Sequence, residues 1–232
     1  MRKTSKKKLK VAIVSFPCSN CDFDALKFFK RYGHNAYFLW HKERKFPDID
    51  LLVLPGGFAF GDRAYKKATG KYVIDPGEQA ISSPVMSIVY KAADMGIPIL
   101  GICNGFQILV KAGLLPGKLK QNKSKKFYCD ITVCKIINGS FFGDKSLVGK
   151  LFRLPVAHGY GRFTIEEKEL KELKKNKQIF LKYQGLNPNG SIENIAGIKN
   201  LQGNIFGLMP HPERSSDENY FMRAIEKYVA RN

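Results

Sequence analysis

Ile97-Pro98-Ile99-Leu100-Gly101-Ile102-Cys103-Asn104-Gly105-Phe106-Gln107 decides how this chain is read. An apolar run leads into Cys103, and a helix-like stretch, Phe106 to Ala112, leads out. This is the layout of a nucleophile elbow: a buried strand ends, the chain turns sharply, and the nucleophile stands at the mouth of a helix. Gly101 and Gly105 flank the cysteine at i−2 and i+2, where a Cβ would collide with the neighbouring strand and helix. A thiol so placed meets the positive end of the helix dipole, which favours a thiolate, and free backbone N–H groups there can hold an oxyanion. The plainer alternative is a small buried cysteine in a tight turn. Both glycines, with the strand and helix around them, favour chemistry.

A cysteine nucleophile needs a base, and the chain offers His34, His41, His158 and His211. His211 stands out because it follows an apolar strand, Asn204 to Met209, in the run Met209-Pro210-His211-Pro212-Glu213-Arg214. Prolines on either side stiffen the loop that carries the imidazole. Glu213, two residues on, is close enough to accept from the second ring nitrogen, so Cys103, His211 and Glu213 fit the roles of nucleophile, base and orienting acid. A third element, Leu52-Val53-Leu54-Pro55-Gly56-Gly57-Phe58-Ala59-Phe60-Gly61-Asp62, ends another apolar strand in a glycine turn. The N–H groups of Gly57 and Asn104 could together form an oxyanion hole. Gly-Gly by itself is common in α/β proteins.

These elements, in this order, resemble the class I, or triad, glutamine amidotransferase family. The resemblance is carried by Gly101 to Gln107, Ala112-Gly113-Leu114-Leu115-Pro116-Gly117 and Ser19-Asn20-Cys21-Asp22. Pro155-Val156-Ala157-His158-Gly159, Asn187-Pro188-Asn189-Gly190-Ser191 and the Met209–Arg214 run complete it, so that it spans about Lys10 to Val229. Three features depart from the family pattern: Tyr160 replaces the usual Glu, Cys18 the usual Gly, and the segment Arg63 to Pro84 is longer than in short members. The resemblance implies a three-layer, flavodoxin-like α/β fold with a mostly parallel central sheet and a small antiparallel excursion. It implies glutamine hydrolysis through a glutamyl thioester, with Gln107, His158 and Gly159 at the substrate pocket. The chain has no G-x-x-x-x-G-K-[ST] loop for ATP. The resemblance therefore implies a partner, a large synthetase subunit that holds ATP and Mg²⁺ and aminates formylglycinamide ribonucleotide, with a small accessory subunit in some organisms. No cofactor or metal is expected on this chain. The rival readings are the glutaminase subunit of another amidotransferase and a non-catalytic binding module of the same fold.

Length and composition agree with an α/β enzyme. At 232 residues with 44% hydrophobic content, a single domain over 10–232 is expected, preceded by a basic tail, 1–9. No apolar run approaches the roughly 18 residues of a membrane helix, and no signal-peptide core precedes the first strand, so a cytoplasmic location is expected. Five cysteines without a secretion signal are expected to be reduced thiols. Cys18 and Cys21 form a C-x-x-C that invites a redox reading, but no second pair completes a zinc site. The formal charge of +19 comes mostly from lysine spread along the chain rather than from an Arg-rich, aromatic-studded patch. A solvated surface is expected, not specific nucleic-acid recognition.

Apolar runs alternate with helical stretches up to Ala112: Val11–Phe16 then Asp22–Tyr32, Ala36–Trp40, Leu51–Leu54 then Pro84–Asp94, and Ile97–Ile102 then Asn104–Ala112. That order predicts a parallel sheet with helices on both faces. From Phe127 the strands shorten, at Phe127–Ile137 and Phe152–Val156, and predict antiparallel pairing. Glu166–Lys175 reads as a polar helix, Ile192–Ile198 with Asn204–Met209 as a hairpin-like pair, and the stripe Phe221, Ala224, Ile225, Tyr228 as a last amphipathic helix.

Overall fold

A computed structural model describes residues 7–231 apart from 63, 64, 67–69, 71 and 74. Most of the basic tail and part of the lengthened Arg63–Pro84 segment thus lie outside the described residues.

The parallel part is built from β1 (Lys10–Ser15), β2 (Asn35–Trp40), β3 (Leu51–Leu54), β6 (Ile99–Ile102) and β13 (Ile205–Leu208). Between β3 and β6 a short antiparallel pair forms, β4 (Tyr65–Lys66) with β5 (Tyr72–Val73). Every residue of β3, β6 and β13 is buried, as befits strands covered on both faces. The covering helices are α1 (Asp22–Arg31), α2 (Met86–Asp94), α3 (Asn104–Lys111) and α5 (Glu218–Val229). Helix α5 buries Phe221, Met222, Ala224, Ile225 and Val229, close to the stripe read from the sequence. Gly33 and Gly113 follow α1 and α3 with φ of +81° and +73°, the left-handed turn that ends a helix most easily at glycine.

The antiparallel part continues the same sheet. It comprises β8 (Tyr128–Ile136), β9 (Leu151–His158), β11 (Ile179–Tyr183) and β12 (Ile195–Lys199), in the overall order β2-β1-β3-β6-β13-β12-β11-β8-β9. The strands β7 (Lys118–Lys120) and β10 (Arg162–Thr164) pair separately, and α4 (Glu167–Lys175) precedes β11. Strand β11 has no counterpart in the sequence reading, although Ile179-Phe180-Leu181 is an apolar run. Phe141 packs against Phe142, Phe180, Phe206 and Phe221, joining the two parts of the sheet and α5 in one core.

Four strand steps separate β13 from β9, about 19 Å in a flat sheet. Yet the N–H of His211, just beyond β13, donates to the carbonyl of Pro155 on β9 at 2.8 Å. The antiparallel wing must therefore curl back over the C-terminal ends of the parallel strands. Pro155 is tolerated because β9 is the outer strand of the sheet.

Candidate active site

Cys103 sits between β6 and α3 with φ 50° and ψ −104°, a conformation that non-glycine residues seldom adopt. Its N–H donates to Leu208 of β13 at 2.8 Å and its carbonyl accepts from Gln107 of α3 at 3.1 Å, so strand and helix both clamp the strained residue. The glycines on either side permit this. A Cβ on Gly105 would overlap the carbonyl of Leu54 in β3, and one on Gly101 would lie 2.8 Å from the Gly105 carbonyl. Helix α3 thus rests directly on the strand layer, with its N-terminus under the thiol.

His211 and Glu213 are 1% and 2% exposed. The imidazole Nδ1 lies 2.7 Å from Oε1 of Glu213. Burial opposes a charge on His211, but the Glu213 carboxylate and the Cys103 sulfur outweigh it and raise the imidazole to about 10. The ring is also held from the far side, because a Cβ on Gly56 would stand 2.6 Å from His211 Cε1 and 3.4 Å from Cys103 Cβ. Gly56 therefore leaves the space through which base and nucleophile approach each other. The Cys103 thiol faces the Ala157 carbonyl at 3.7 Å.

A cavity of about 290 Å³ opens in front of Cys103, at the small end of the roughly 300–1,000 Å³ usual for ligand pockets. Gly57, Gln107, His158, Gly159 and Tyr160 border it, with Phe58 and Phe127 at its edge. Those two rings are 41% and 54% exposed and lie 6.4 Å apart. Larger hollows of about 610 and 600 Å³ are bordered by neither Cys103 nor His211. The geometry thus gathers Cys103, His211, Glu213, Gly57, Gln107, His158 and Gly159 at one place. The N–H of Asn104 belongs to the first turn of α3, and its side chain ties that turn to the glycine loop by accepting from Ala59 N–H at 3.1 Å.

Two of these residues differ from a simple substrate-binding picture. Gln107 already has both ends of its amide engaged: Oε1 accepts from Asn104 Nδ2 at 2.8 Å and Nε2 donates to the Tyr160 carbonyl at 2.7 Å. Position 160 therefore acts here through its backbone, which any residue supplies, so the exchange of Glu for Tyr leaves this bond intact. His158 is 3% exposed, and neither ring nitrogen has a hydrogen-bond partner. Burial first, and then the charge on His211, push it down to about 4 against an opposing effect of its own backbone. It is a neutral wall rather than a second base.

Gly56, Ala157, Cys21 and Arg214 stand in the motifs read from the sequence, but their contacts at the site are not read from it. Arg214 Nη2 donates to Cys21 Sγ at 3.0 Å and its Nε to Asp24 at 2.8 Å, binding α1 to the His211 loop. Burial pushes the Cys21 thiol up to about 12, against the Arg214 charge. Cys18 is exposed, and neither cysteine of the C-x-x-C is in a disulfide. The Arg214 signal was present in the run after His211; the partner on α1 was not.

Comparison with known proteins supports the same chemistry. Residues 8–228 match the model of the CobB/CobQ-like glutamine amidotransferase domain. A PurQ subunit of phosphoribosylformylglycinamidine synthase from Wolinella succinogenes is 42% identical, over 90% of this chain and 92% of its own. One from Sulfurimonas denitrificans is 45% identical with the same coverage. A chain in the structure of PurLQS from Thermotoga maritima superposes with a TM-score of 0.82 at 34% identity, covering 96% of this chain and all of that one. The chain therefore belongs to the CobB/CobQ-like glutamine amidotransferases and, among them, to the family of PurQ subunits of phosphoribosylformylglycinamidine synthase.

Proposed function

We propose that Cys103, His211 and Glu213 hydrolyse glutamine to glutamate and ammonia. The chain is the glutaminase subunit of phosphoribosylformylglycinamidine synthase and works in complex with a synthetase subunit in purine biosynthesis. The observation that carries the catalytic reading is the strained Cys103 at the helix mouth, beside a buried His211 bonded to Glu213. The Cys103 thiolate attacks the side-chain carboxamide carbon of glutamine. The N–H groups of Gly57 and Asn104 receive the oxyanion that forms. His211, protonated because Glu213 faces it, gives its proton to the departing ammonia as the C–N bond breaks. The imidazole, now neutral, takes a proton from water as that water attacks the glutamyl thioester, and the C–S bond breaks to release glutamate. Gln107, His158 and Gly159 shape the pocket that holds the substrate.

The chemistry belongs to one domain, 10–232, with 1–9 as a basic tail. The domain needs no metal or cofactor of its own. ATP and Mg²⁺ act on the large synthetase subunit, which converts formylglycinamide ribonucleotide to the amidine with the ammonia supplied. In some organisms a small accessory subunit joins such a pair.

Cys103→Ser tests the assignment in the assembled complex. Glutamine-dependent amination should fall by several orders of magnitude while ammonia-dependent amination survives. Equal loss of both activities would remove Cys103 from the glutaminase half-reaction.

A further inference from the structure

One wall of the pocket runs from His158, the last residue of β9, through irregular chain to Gly161, and such a segment must find partners for its backbone groups. It finds them in amides. The His158 carbonyl accepts from Asn122 Nδ2 at 2.8 Å, and the Gly159 carbonyl from the Asn122 backbone N–H at 2.8 Å. The Tyr160 carbonyl accepts from Gln107 Nε2 at 2.7 Å, and the Gly161 carbonyl from Asn189 Nδ2 at 2.8 Å. The Gly161 N–H closes the set by donating to Asn122 Oδ1 at 3.0 Å. Four consecutive carbonyls are thus held by Asn122, Gln107 and Asn189, with a longer bond from the Ser191 hydroxyl to Gly161 at 3.4 Å, and the two asparagines do not border the cavity.

Both asparagines are 1% exposed and are themselves braced. Asn122 Nδ2 also donates to Lys126 at 3.0 Å. Asn189 donates to the Tyr183 hydroxyl at 3.1 Å and accepts from the Ser191 hydroxyl at 2.6 Å, which anchors it to β11 and the turn after it. The Lys123 N–H bonds the Asn189 carbonyl at 2.9 Å, so the two supports are tied to each other. Gly161 is packed against the His158 ring, where a Cβ would stand 2.5 Å from Cε1. Any shift of the segment would therefore move His158, Gly159 and the Tyr160 carbonyl together.

We propose that Asn122 and Asn189 are positioning residues for glutamine, acting through the His158–Gly161 wall and its link to Gln107. The inference rests on the reading of this cavity as the glutamine pocket. A pre-formed wall spares the substrate the work of ordering it, so loosening the wall weakens glutamine capture without touching the synthetase.

Asn122→Asp is the sharpest test. It keeps the size and the acceptor for Gly161 but turns an oxygen towards the His158 carbonyl. In the complex with the synthetase, KM for glutamine should rise about tenfold, the scale of one buried hydrogen bond lost, and ammonia-dependent amination should stay within about twofold of wild type. Asn189→Ala should shift the glutamine KM in the same direction. An unchanged glutamine KM in both variants would overturn the proposal, as would an equal fall in glutamine- and ammonia-dependent rates. Hydrogen exchange of the Gly161 amide in the unmutated chain needs no variant to fold. Strong protection is expected, and exchange at the rate of an exposed loop would overturn the proposal. Cys103→Ser, which leaves this wall intact, tests the glutaminase reading separately.

Discussion

At the scale of the residue, the site depends on a charge held where burial resists it. His211 is buried, yet Glu213 and Cys103 keep it protonated well above the usual range of histidine. The sign of the pH effect follows. A histidine whose folded pKa lies above the unfolded value of about 6.5 contributes stability that is fully present below that value. The contribution is lost as pH rises through the folded pKa, here about 10. The midpoint of thermal unfolding should therefore drop between neutral pH and pH 10 by more in wild type than in His211→Gln, measured at fixed ionic strength. In the mechanism proposed above the same proton is the one given to ammonia, so the glutaminase rate should fall on its alkaline side. Glu213→Gln removes the carboxylate and should move that alkaline limb to lower pH while lowering kcat by roughly ten- to a hundredfold, less than loss of His211. An unshifted limb would mean that Glu213 does not set the ionisation of His211.

At the scale of the element, the elbow is a packing problem. Helix α3 lies so close to β3 that no Cβ fits at position 105 against the Leu54 carbonyl. Backbone cannot swing aside as a long side chain can, so Gly105→Ala should cost about 1–3 kcal/mol or more. Calorimetry should show a melting temperature several degrees lower, and the rate of alkylation of Cys103 should change because its clamp has moved. A wild-type melting temperature in Gly105→Ala would show that the helix can lift without cost. The outer strand β9 has a different task. Its Pro155 carbonyl holds the His211 loop and its Ala157 carbonyl faces the thiol, so an edge strand four steps from β13 in the sheet order closes the site.

At the scale of the whole molecule, the pocket is exposed where a partner would be needed. Phe58 and Phe127 stand half in solvent at its edge, and Phe60 and Gly61, in the loop beyond Gly57, take φ of 59° and 79°. The isolated chain should hydrolyse glutamine feebly, and addition of the synthetase subunit with ATP and formylglycinamide ribonucleotide should raise glutamate release many-fold. Full turnover by the chain alone would separate it from dependence on its partner. The charge of +19 acts over the whole surface, so weak binding to polyanions should vanish as salt is raised through physiological strength. Among the described residues no helix is long and apolar enough to cross a membrane.

The sequence by itself determined the local devices. The i−2 and i+2 glycines marked the elbow, the prolines around His211 marked a stiff loop, and Glu213 two residues on reached the ring because a two-residue span leaves it nowhere distant to go. Strand and helix alternation announced the parallel sheet because each period is a property of neighbours in the chain. What neighbours in the chain cannot express, tertiary structure decided. Strand β11 completes the antiparallel wing from an apolar run, Ile179-Phe180-Leu181, whose pairing partners β8 and β12 lie elsewhere in the chain. The curl of that wing brings Pro155 and Ala157 to the site, although sheet order sets β9 farthest from β13 on that side. Arg214 finds Cys21 and Asp24 some 190 positions away, and Asn122, one polar residue in a lysine-rich stretch, becomes buried support for a loop 36 to 39 residues later. Such partners are chosen by the shape of the packed core and by the need to satisfy every buried polar group, and both exist only once the chain has closed on itself.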